Sequence, residues 1–324
     1  MQRASFYDDV ADGPGKGQAF WIETVDRLKL RAGGWFSEGH CQNGTIFRFP
    51  GRGDFLEGSG QIARAFAKFG YGTVANDWRG QGASDRLLKD PYVGHVTDFM
   101  DYQKDVRAIF DMARQLELPK PWFVLGSSMG ACIALRSLYD APPISAVIFL
   151  APMWDINLKM WQRRLALPLS RVVHTLGLGH LYALGQIPET AVRVTPFEKN
   201  DFIQSRKRYA ALVKRAELYS YLHIAGVSYS WLYAVLKECD ALAKCEAPSL
   251  PALTFEPELD SYIDKNAIRS KMQAWPKGRL ITVADAKHAL FEEEEVIRSK
   301  VIDEIFCFLP NFPKCETGQI DKCP

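Results

Sequence analysis

Short apolar runs alternate along this chain with segments whose apolar residues recur at helical intervals. The runs are residues 45–49, 72–76, 122–125, 144–150, 252–256 and 279–284. The run 144–150 is unbroken, as expected of a central parallel strand covered on both faces. Residues 62–69 have helical spacing with Gly70 as a stop, and 129–139 reads as another helix. Residues 99–116 place Phe99, Tyr102, Val106, Ile109, Phe110, Ala113 and Leu116 on one helical face. Residues 20–31 and 34–36 read as a hairpin-like opening. Strands alternating with helices predict an α/β fold with a doubly wound, mostly parallel sheet.

From Trp154 to about Val235 the alternation stops. This segment is mostly helical in periodicity and is broken by Pro168, Pro188 and Pro196. It reads as a helical cap inserted into the core. The expected organisation is a first core part at 1–153, the cap at 154–235 and a second core part at 236–324. The cap carries eleven Lys and Arg against five Asp and Glu, while the whole chain has a net charge of only +2. The cap is therefore the positive part of the molecule. Its charge suits an anionic membrane surface or a phosphate headgroup, and equally a solvated face that aids solubility. The last helix is expected to begin near Phe291, with the acidic run Glu292 to Glu295 facing the helix dipole in its first turn.

The 324 residues can bury a large core, and about half are apolar. The small net charge gives nucleic-acid binding no support. No stretch of about 18 apolar residues reads as a spanning helix. Residues 1–17 carry Asp8, Asp9 and Asp12 without an apolar core, so they do not read as a secretory signal. The seven cysteines (Cys41, Cys132, Cys239, Cys245, Cys307, Cys315 and Cys323) are odd in number and scattered, which suits free thiols in a reducing compartment. A crosslink between Cys315 and Cys323 in the polar tail is the alternative. No Cys or His pair has metal-site spacing, so neither a metal nor another cofactor is expected. The expected location is cytoplasmic, with peripheral contact to the inner face of a membrane through the basic cap.

The chemistry starts at Gly126-Ser127-Ser128-Met129-Gly130, directly after an apolar run and before a helical one. This is the G-x-S-x-G elbow, in which a sharp strand-to-helix turn exposes the central serine, Ser128. A serine hydroxyl is a weak nucleophile and needs a base, and the base needs an orienting acid. The chain order in this fold is Ser, acid, His. His40 and His95 precede Ser128, and His174, His180 and His223 fall in the cap. His288 alone follows the last strand, so it is the expected base.

The acid should follow the run 252–256. Glu256, Glu258, Asp260 and Asp264 are candidates, and Asp285 is a weaker one because it is so near His288 in sequence. Asp260, at the far end of the turn, is favoured; Asp264 suits the first turn of the next helix. One oxyanion N–H should come from Met129, at the start of the helix after the serine. The other should come from Arg52 in Pro50-Gly51-Arg52-Gly53, where glycines let the backbone approach a substrate. The Arg52 side chain is also a candidate for meeting an anionic substrate group.

The elbow, the Pro-Gly-Arg loop and Asp77-Trp78-Arg79-Gly80-Gln81-Gly82-Ala83-Ser84 together resemble the α/β-hydrolase superfamily. Within it the chain resembles the lysophospholipase L2 and monoacylglycerol lipase group, whose D-x-R-G-x-G motif is matched at 77–82. Leu87 to Pro91, Gly94-His95-Val96, Phe99 to Tyr102, Ala151-Pro152-Met153 and Ser230-Trp231-Leu232 resemble the lysophospholipase L2 branch. The resemblance implies Ser128 as nucleophile, Asp260 as acid, His288 as base, and Arg52 and Met129 as oxyanion donors. It departs at Ser127, where the group usually has His, and at Phe49-Pro50, where a His often precedes the loop glycine. Both changes alter the lining of the site. His95 is expected to fix a loop by a hydrogen bond.

The expected function is hydrolysis of a carboxylic ester through an acyl-enzyme, on a lysophospholipid or monoacylglycerol. A soluble small ester, lactone or amide is the alternative substrate class. A binding protein without catalysis is a further alternative, which the intact Ser, Asp and His set argues against.

Overall fold

The computed structural model describes residues 1–36 and 42–309. His40, Cys41 and the Cys315–Cys323 crosslink lie outside these residues. In chain order the strands are β1 (Gln2–Ala4), β2 (Gln18–Glu23), β3 (Lys29–Trp35), β4 (Gly44–Phe49), β5 (Tyr71–Asn76), β6 (Trp122–Ser127), β7 (Ala146–Leu150), β8 (Ala252–Pro257) and β9 (Gly278–Val283). They form one sheet, ordered β1-β2-β3-β5-β4-β6-β7-β8-β9. From β5 to β9 every neighbouring pair is parallel, and β1, β2 and β3 add an antiparallel edge. The hairpin-like opening is the β2–β3 pair.

The unbroken apolar runs have a simple cause. Successive side chains of a strand point to opposite faces, and both faces of this sheet are covered. Phe47, Val124 and Phe149 pack on one face with Ile109 and Ile133, whereas Ile46, Phe123 and Ile148 pack on the other with Phe66 and Ile305. The covering helices are α2 (Gly60–Ala67), α3 (Asp101–Gln115), α4 (Met129–Leu138) and, at the C-terminal end, α10 (Glu295–Phe308). A short helix near the N-terminus, α1 (Asp8–Ala11), and β1 occupy a region to which sequence reading gave no structure.

Between β7 and β8 the chain forms α5 (Met160–Thr175), α6 (Ala191–Val194), α7 (Arg206–Leu218) and α8 (Tyr229–Lys244); α9 (Lys265–Gln273) lies between β8 and β9. The boundary expected at Val235 falls inside α8 and needs correction. Ser228 caps this helix by accepting the Trp231 N–H at 3.1 Å. Its buried face runs on through Val235, Leu236, Cys239 and Leu242. Glu238 pairs with Arg136 of α4 at 2.5 Å. Past Val235 this helix is thus part of the core packing.

The acidic run also needs correction. The last helix begins at Glu295, after a short turn at Leu290–Glu292. Glu292 pairs instead with Arg208 of α7 at 2.6 Å, and Glu293 is fully buried. Asp264 does not sit within the first turn of α9: it is the residue before it, and its carboxylate accepts the Asn266 N–H at 2.8 Å.

Candidate active site

Ser128 stands at the end of β6 and opens α4, with φ 50° and ψ −118°. This is strained backbone for any residue with a β-carbon, and it persists only where the surroundings enforce it. Two backbone bonds do so: the Ser128 N–H donates to the Leu150 carbonyl at 3.0 Å, and the Ser128 carbonyl accepts from Met153 at 3.1 Å. The flanking glycines are required by close approach. A β-carbon at Gly126 would lie 2.7 Å from the Ala131 Cα, and one at Gly130 would collide with the Phe49 carbonyl and stand 2.5 Å from that of Pro50. The elbow is therefore pressed against the loop that follows β4.

That loop carries the expected oxyanion residue Arg52. A β-carbon on Gly51 would lie 3.5 Å from the Ser128 Cβ, so the loop backbone faces the serine. Among the described residues no acceptor meets the N–H of Arg52 or of Met129. The loop is held from below by the 77–84 motif. The Gln81 amide oxygen accepts the Gly53 N–H at 2.7 Å, and the Trp78 indole N–H donates to the Pro50 carbonyl at 2.9 Å. Asp77 in turn accepts from the Leu56 N–H, the Ala83 N–H and the Arg31 side chain, each at 2.7 Å. Gly82, at φ 56°, leaves no room for a β-carbon against the Asp77 carboxylate. Arg31 also pairs with Glu57 at 2.8 Å, and all three side chains are wholly buried. Gln81 is a positioning residue that sequence reading placed only within a family motif.

Asp260 and His288 are brought together by the loops after β8 and β9. His288 Nδ1 lies 2.6 Å from Asp260 Oδ2, and Asp260 Oδ1 accepts the Tyr262 N–H at 2.8 Å. Both residues are buried. The two loops are tied to each other: Leu259 N–H donates to the Ala286 carbonyl at 2.9 Å, and Glu258 accepts the Asp285 N–H at 3.1 Å. The other acid candidates have other partners. Glu256 pairs with Arg269 at 2.6 Å, and Asp264 caps α9. Among the described residues no hydrogen bond joins Ser128 to His288; such bonds commonly tighten only around bound substrate.

Glu293 organises the His288 loop from the other side, a contact that the first-turn reading missed. Its two oxygens accept the N–H of Lys287 at 2.8 Å and of Gln204 at 2.9 Å. Burial raises its pKa, and those two N–H groups oppose the rise. Lys287 donates to the Asn200 carbonyl at 2.7 Å, and the Ala289 N–H to that of Phe202 at 3.1 Å. The segment 200–204 is thereby fixed over the His288 loop, with the Phe202 ring centroid 5.8 Å from the imidazole.

With this geometry in view, the family model described as Serine aminopeptidase, S33 (Hydrolase_4) matches residues 40–295. The chain belongs to this α/β-hydrolase family. It is a serine hydrolase of the lipase and esterase type. Lysophospholipase L2 of Escherichia coli (strain K12) is 27% identical over 282 residues, covering 80% of this chain and 78% of that protein. The probable lysophospholipase L2 of Haemophilus influenzae is 26% identical over 265 residues, covering 80% and 81%. Among solved structures, a soluble variant of monoglyceride lipase from Saccharomyces cerevisiae aligns with a TM-score of 0.68 at 17% identity, over 88% of this chain and 92% of that one. A thermostable carboxyl esterase from Bacillus coagulans aligns with a TM-score of 0.69 at 15% identity, over 90% and 97%. These likenesses support the fold.

Two further histidines make hydrogen bonds between segments, and that of His95 is of the kind expected for it. His95 is buried, and its Nδ1 lies 2.8 Å from Ser228 Oγ, joining the 92–96 loop to the cap of α8. His174 Nδ1 lies 2.7 Å from Ser230 Oγ. Each is a structural hydrogen bond.

Proposed function

We propose that this hydrolase cleaves the carboxylic ester of a single-chain lipid, a lysophospholipid or a monoacylglycerol, with Ser128, His288 and Asp260 as its triad. Ser128 Oγ attacks the ester carbonyl carbon and its proton passes to His288. Asp260, on Nδ1, leaves the other imidazole nitrogen free for that proton and stabilises the resulting imidazolium. The negative oxygen of the tetrahedral intermediate takes the N–H groups of Arg52 and Met129. Collapse breaks the bond to the alcohol, which leaves with the proton from His288. Water then attacks the acyl-Ser128 ester with His288 as base, releasing the fatty acid and restoring the hydroxyl.

The observation that carries the lipid reading is one face of α5, within the segment 154–235 that we propose as the cap. Trp161, Leu165, Leu169, Val172 and Leu176 recur at helical spacing, and all are exposed, from 41% at Leu169 to 69% at Leu176. Leu184 in the following loop is 83% exposed. Arg164 and Arg171 flank the stripe without ion pairs among the described residues. A solvated helix would present polar residues there; an apolar face edged with arginine suits a helix lying in the surface of an anionic bilayer. None of the described helices is long and apolar enough to cross a membrane, so the proposed contact is peripheral. The similarity to lysophospholipase L2 supports the same reading.

Hydrolysis of p-nitrophenyl esters across acyl lengths tests it. Activity rising from acetate to octanoate and beyond is expected. A peak at acetate with loss by octanoate would assign the site to soluble small esters instead.

A further inference from the structure

Arg52 stands between Gly51 and Gly53, and Gly53 takes φ 80°, a conformation that favours glycine. Glycines let this loop approach Ser128, but their conformational freedom leaves the N–H between them weakly aimed. Core side chains anchor the loop on either side of it: Trp78 holds the Pro50 carbonyl, and Gln81 holds the Gly53 N–H. Neither of these bonds is made to Arg52 itself.

The Arg52 side chain adds an anchor from a distant segment. Its Nη1 donates to the Ala225 carbonyl at 2.7 Å. Ala225 is buried, and among the described residues no other donor meets that carbonyl. It lies in the segment 223–228, between the turn at Ser220–Leu222 and α8. This segment is itself fixed. The Ala225 N–H donates to the Tyr92 carbonyl at 2.7 Å, the Gly94 N–H to the Gly226 carbonyl at 2.9 Å, and the Ser228 N–H to the Gly94 carbonyl at 2.9 Å. It also packs on the oxyanion loop. Ile224 Cγ1 lies 3.6 Å from where a β-carbon on Gly53 would stand, and the His223 and Phe55 ring centroids are 5.2 Å apart. The guanidinium is closed in at its tip. A β-carbon at Gly94 would stand 3.0 Å from Nη1, and the Trp231 ring centroid is 5.9 Å away. Arg31, Arg48 and Arg79 have carboxylate partners, whereas Arg52 has none among the described residues. Its bond is thus a tie to backbone. A side chain held at its tip restricts the rotations about its own Cα, and those rotations aim the N–H.

We propose that the Arg52 side chain is a positioning group for its own backbone N–H: by its bond to the Ala225 carbonyl it ties the oxyanion loop to the segment 223–228 and aims the donor at the ester oxyanion. This rests on the triad reading above. It gives the guanidinium a role apart from the substrate, in place of contact with an anionic substrate group.

The test compares Arg52→Met, Arg52→Lys and Gly94→Ala with wild type on p-nitrophenyl butyrate. Rates are taken per Ser128 labelled by a fluorophosphonate probe, so that unfolded protein does not count. Arg52→Met keeps the backbone N–H and removes the tie. Its kcat should fall about tenfold to a hundredfold, less than the roughly 10²–10³ for losing an oxyanion donor outright, with KM within about twofold. Arg52→Lys should recover part of the loss, because an ammonium still donates to a carbonyl. Gly94→Ala leaves Arg52 in place and crowds Nη1. A shift of a few tenths of an ångström should lower its kcat about threefold, on the scale of roughly 10²-fold for 1 Å. An alkyl trifluoromethyl ketone adds Ser128 Oγ to its carbonyl carbon and carries the oxyanion in the adduct. Its inhibition constant should rise in Arg52→Met by the factor by which kcat/KM falls. A kcat within about twofold of wild type in both Arg52→Met and Gly94→Ala would overturn the positioning role. So would a fall in kcat with an unchanged ketone constant. A rise in KM for lysophosphatidylcholine alone, with kcat unchanged, would overturn it too and give the guanidinium to an anionic headgroup. Wild-type protein that takes no label and turns over no ester would instead overturn the triad reading, and the positioning role with it.

Discussion

The Gln81 side-chain oxygen accepts the Gly53 N–H at 2.7 Å, so a motif far from the nucleophile in sequence sets the backbone that faces it. Gln81→Leu should leave the fold intact and loosen the loop bearing the Arg52 N–H. Loss of one oxyanion donor costs about 10²–10³ in kcat, and loosening should cost less, roughly tenfold to a hundredfold. The expected fall is in kcat rather than KM, measured on p-nitrophenyl butyrate, with unchanged circular dichroism.

Asp260→Asn should lower kcat by on the order of 10⁴ while the protein remains folded. The amide cannot stabilise the imidazolium and favours the wrong tautomer of His288. Glu256→Gln, at the competing buried carboxylate, should break its pairing with Arg269 and leave kcat within about twofold, any cost falling on stability. The reverse pattern would reassign the acid.

Acid sensitivity should pass through His95. Burial first, with His180 and His174 adding to it, lowers its pKa from 6.5 to about 4. Unfolded chains therefore take up this proton below pH 6.5 and folded ones only near pH 4. The stabilisation is complete above pH 6.5 and is lost as the pH falls toward 4. The shift corresponds to on the order of 3 kcal/mol. Urea unfolding of His95→Asn between pH 4.5 and 7 should show a flatter pH dependence than the wild type; identical slopes would remove His95 from the account.

Exposed residues of α5 should matter for bilayers and not for chemistry. Trp161→Ser combined with Leu165→Ser should weaken co-sedimentation with vesicles containing anionic phospholipid by roughly tenfold or more, from the apolar area lost. Turnover of soluble p-nitrophenyl butyrate should stay unchanged within about twofold. Binding that also vanishes with neutral vesicles would assign the effect to apolar contact alone.

Much of the site was legible in the sequence because steric and topological rules leave few choices. Gly126 and Gly130 mark places where backbone meets backbone, and that requirement appears in sequence as glycine. His288 was proposed from chain order and Asp260 from its place after a strand, and the two side chains lie 2.6 Å apart. What escaped is long-range and polar. Glu293 looks like one more acid in a charged run, yet it accepts from Gln204, eighty-nine residues away. Nothing local distinguishes it from Glu294. The extent of α8 escaped for a similar reason. The apolar periodicity of α8 continues past Val235, and only its packing against α4 reveals that it belongs to the core. The exposed stripe of α5 carries the same periodicity that elsewhere marks a buried face, so exposure could be read only from the structure.

The central claim is that Ser128 is the acylated nucleophile of a lipid ester hydrolase. Labelling with a fluorophosphonate probe, mapped by peptide mass spectrometry, addresses it most directly when paired with fatty-acid release from a lysophospholipid. One stoichiometric adduct on Ser128 is expected, with adduct and fatty-acid release both abolished in Ser128→Ala. Folded wild-type protein that takes no label, an adduct on another residue, or a Ser128→Ala variant that still releases fatty acid would contradict it.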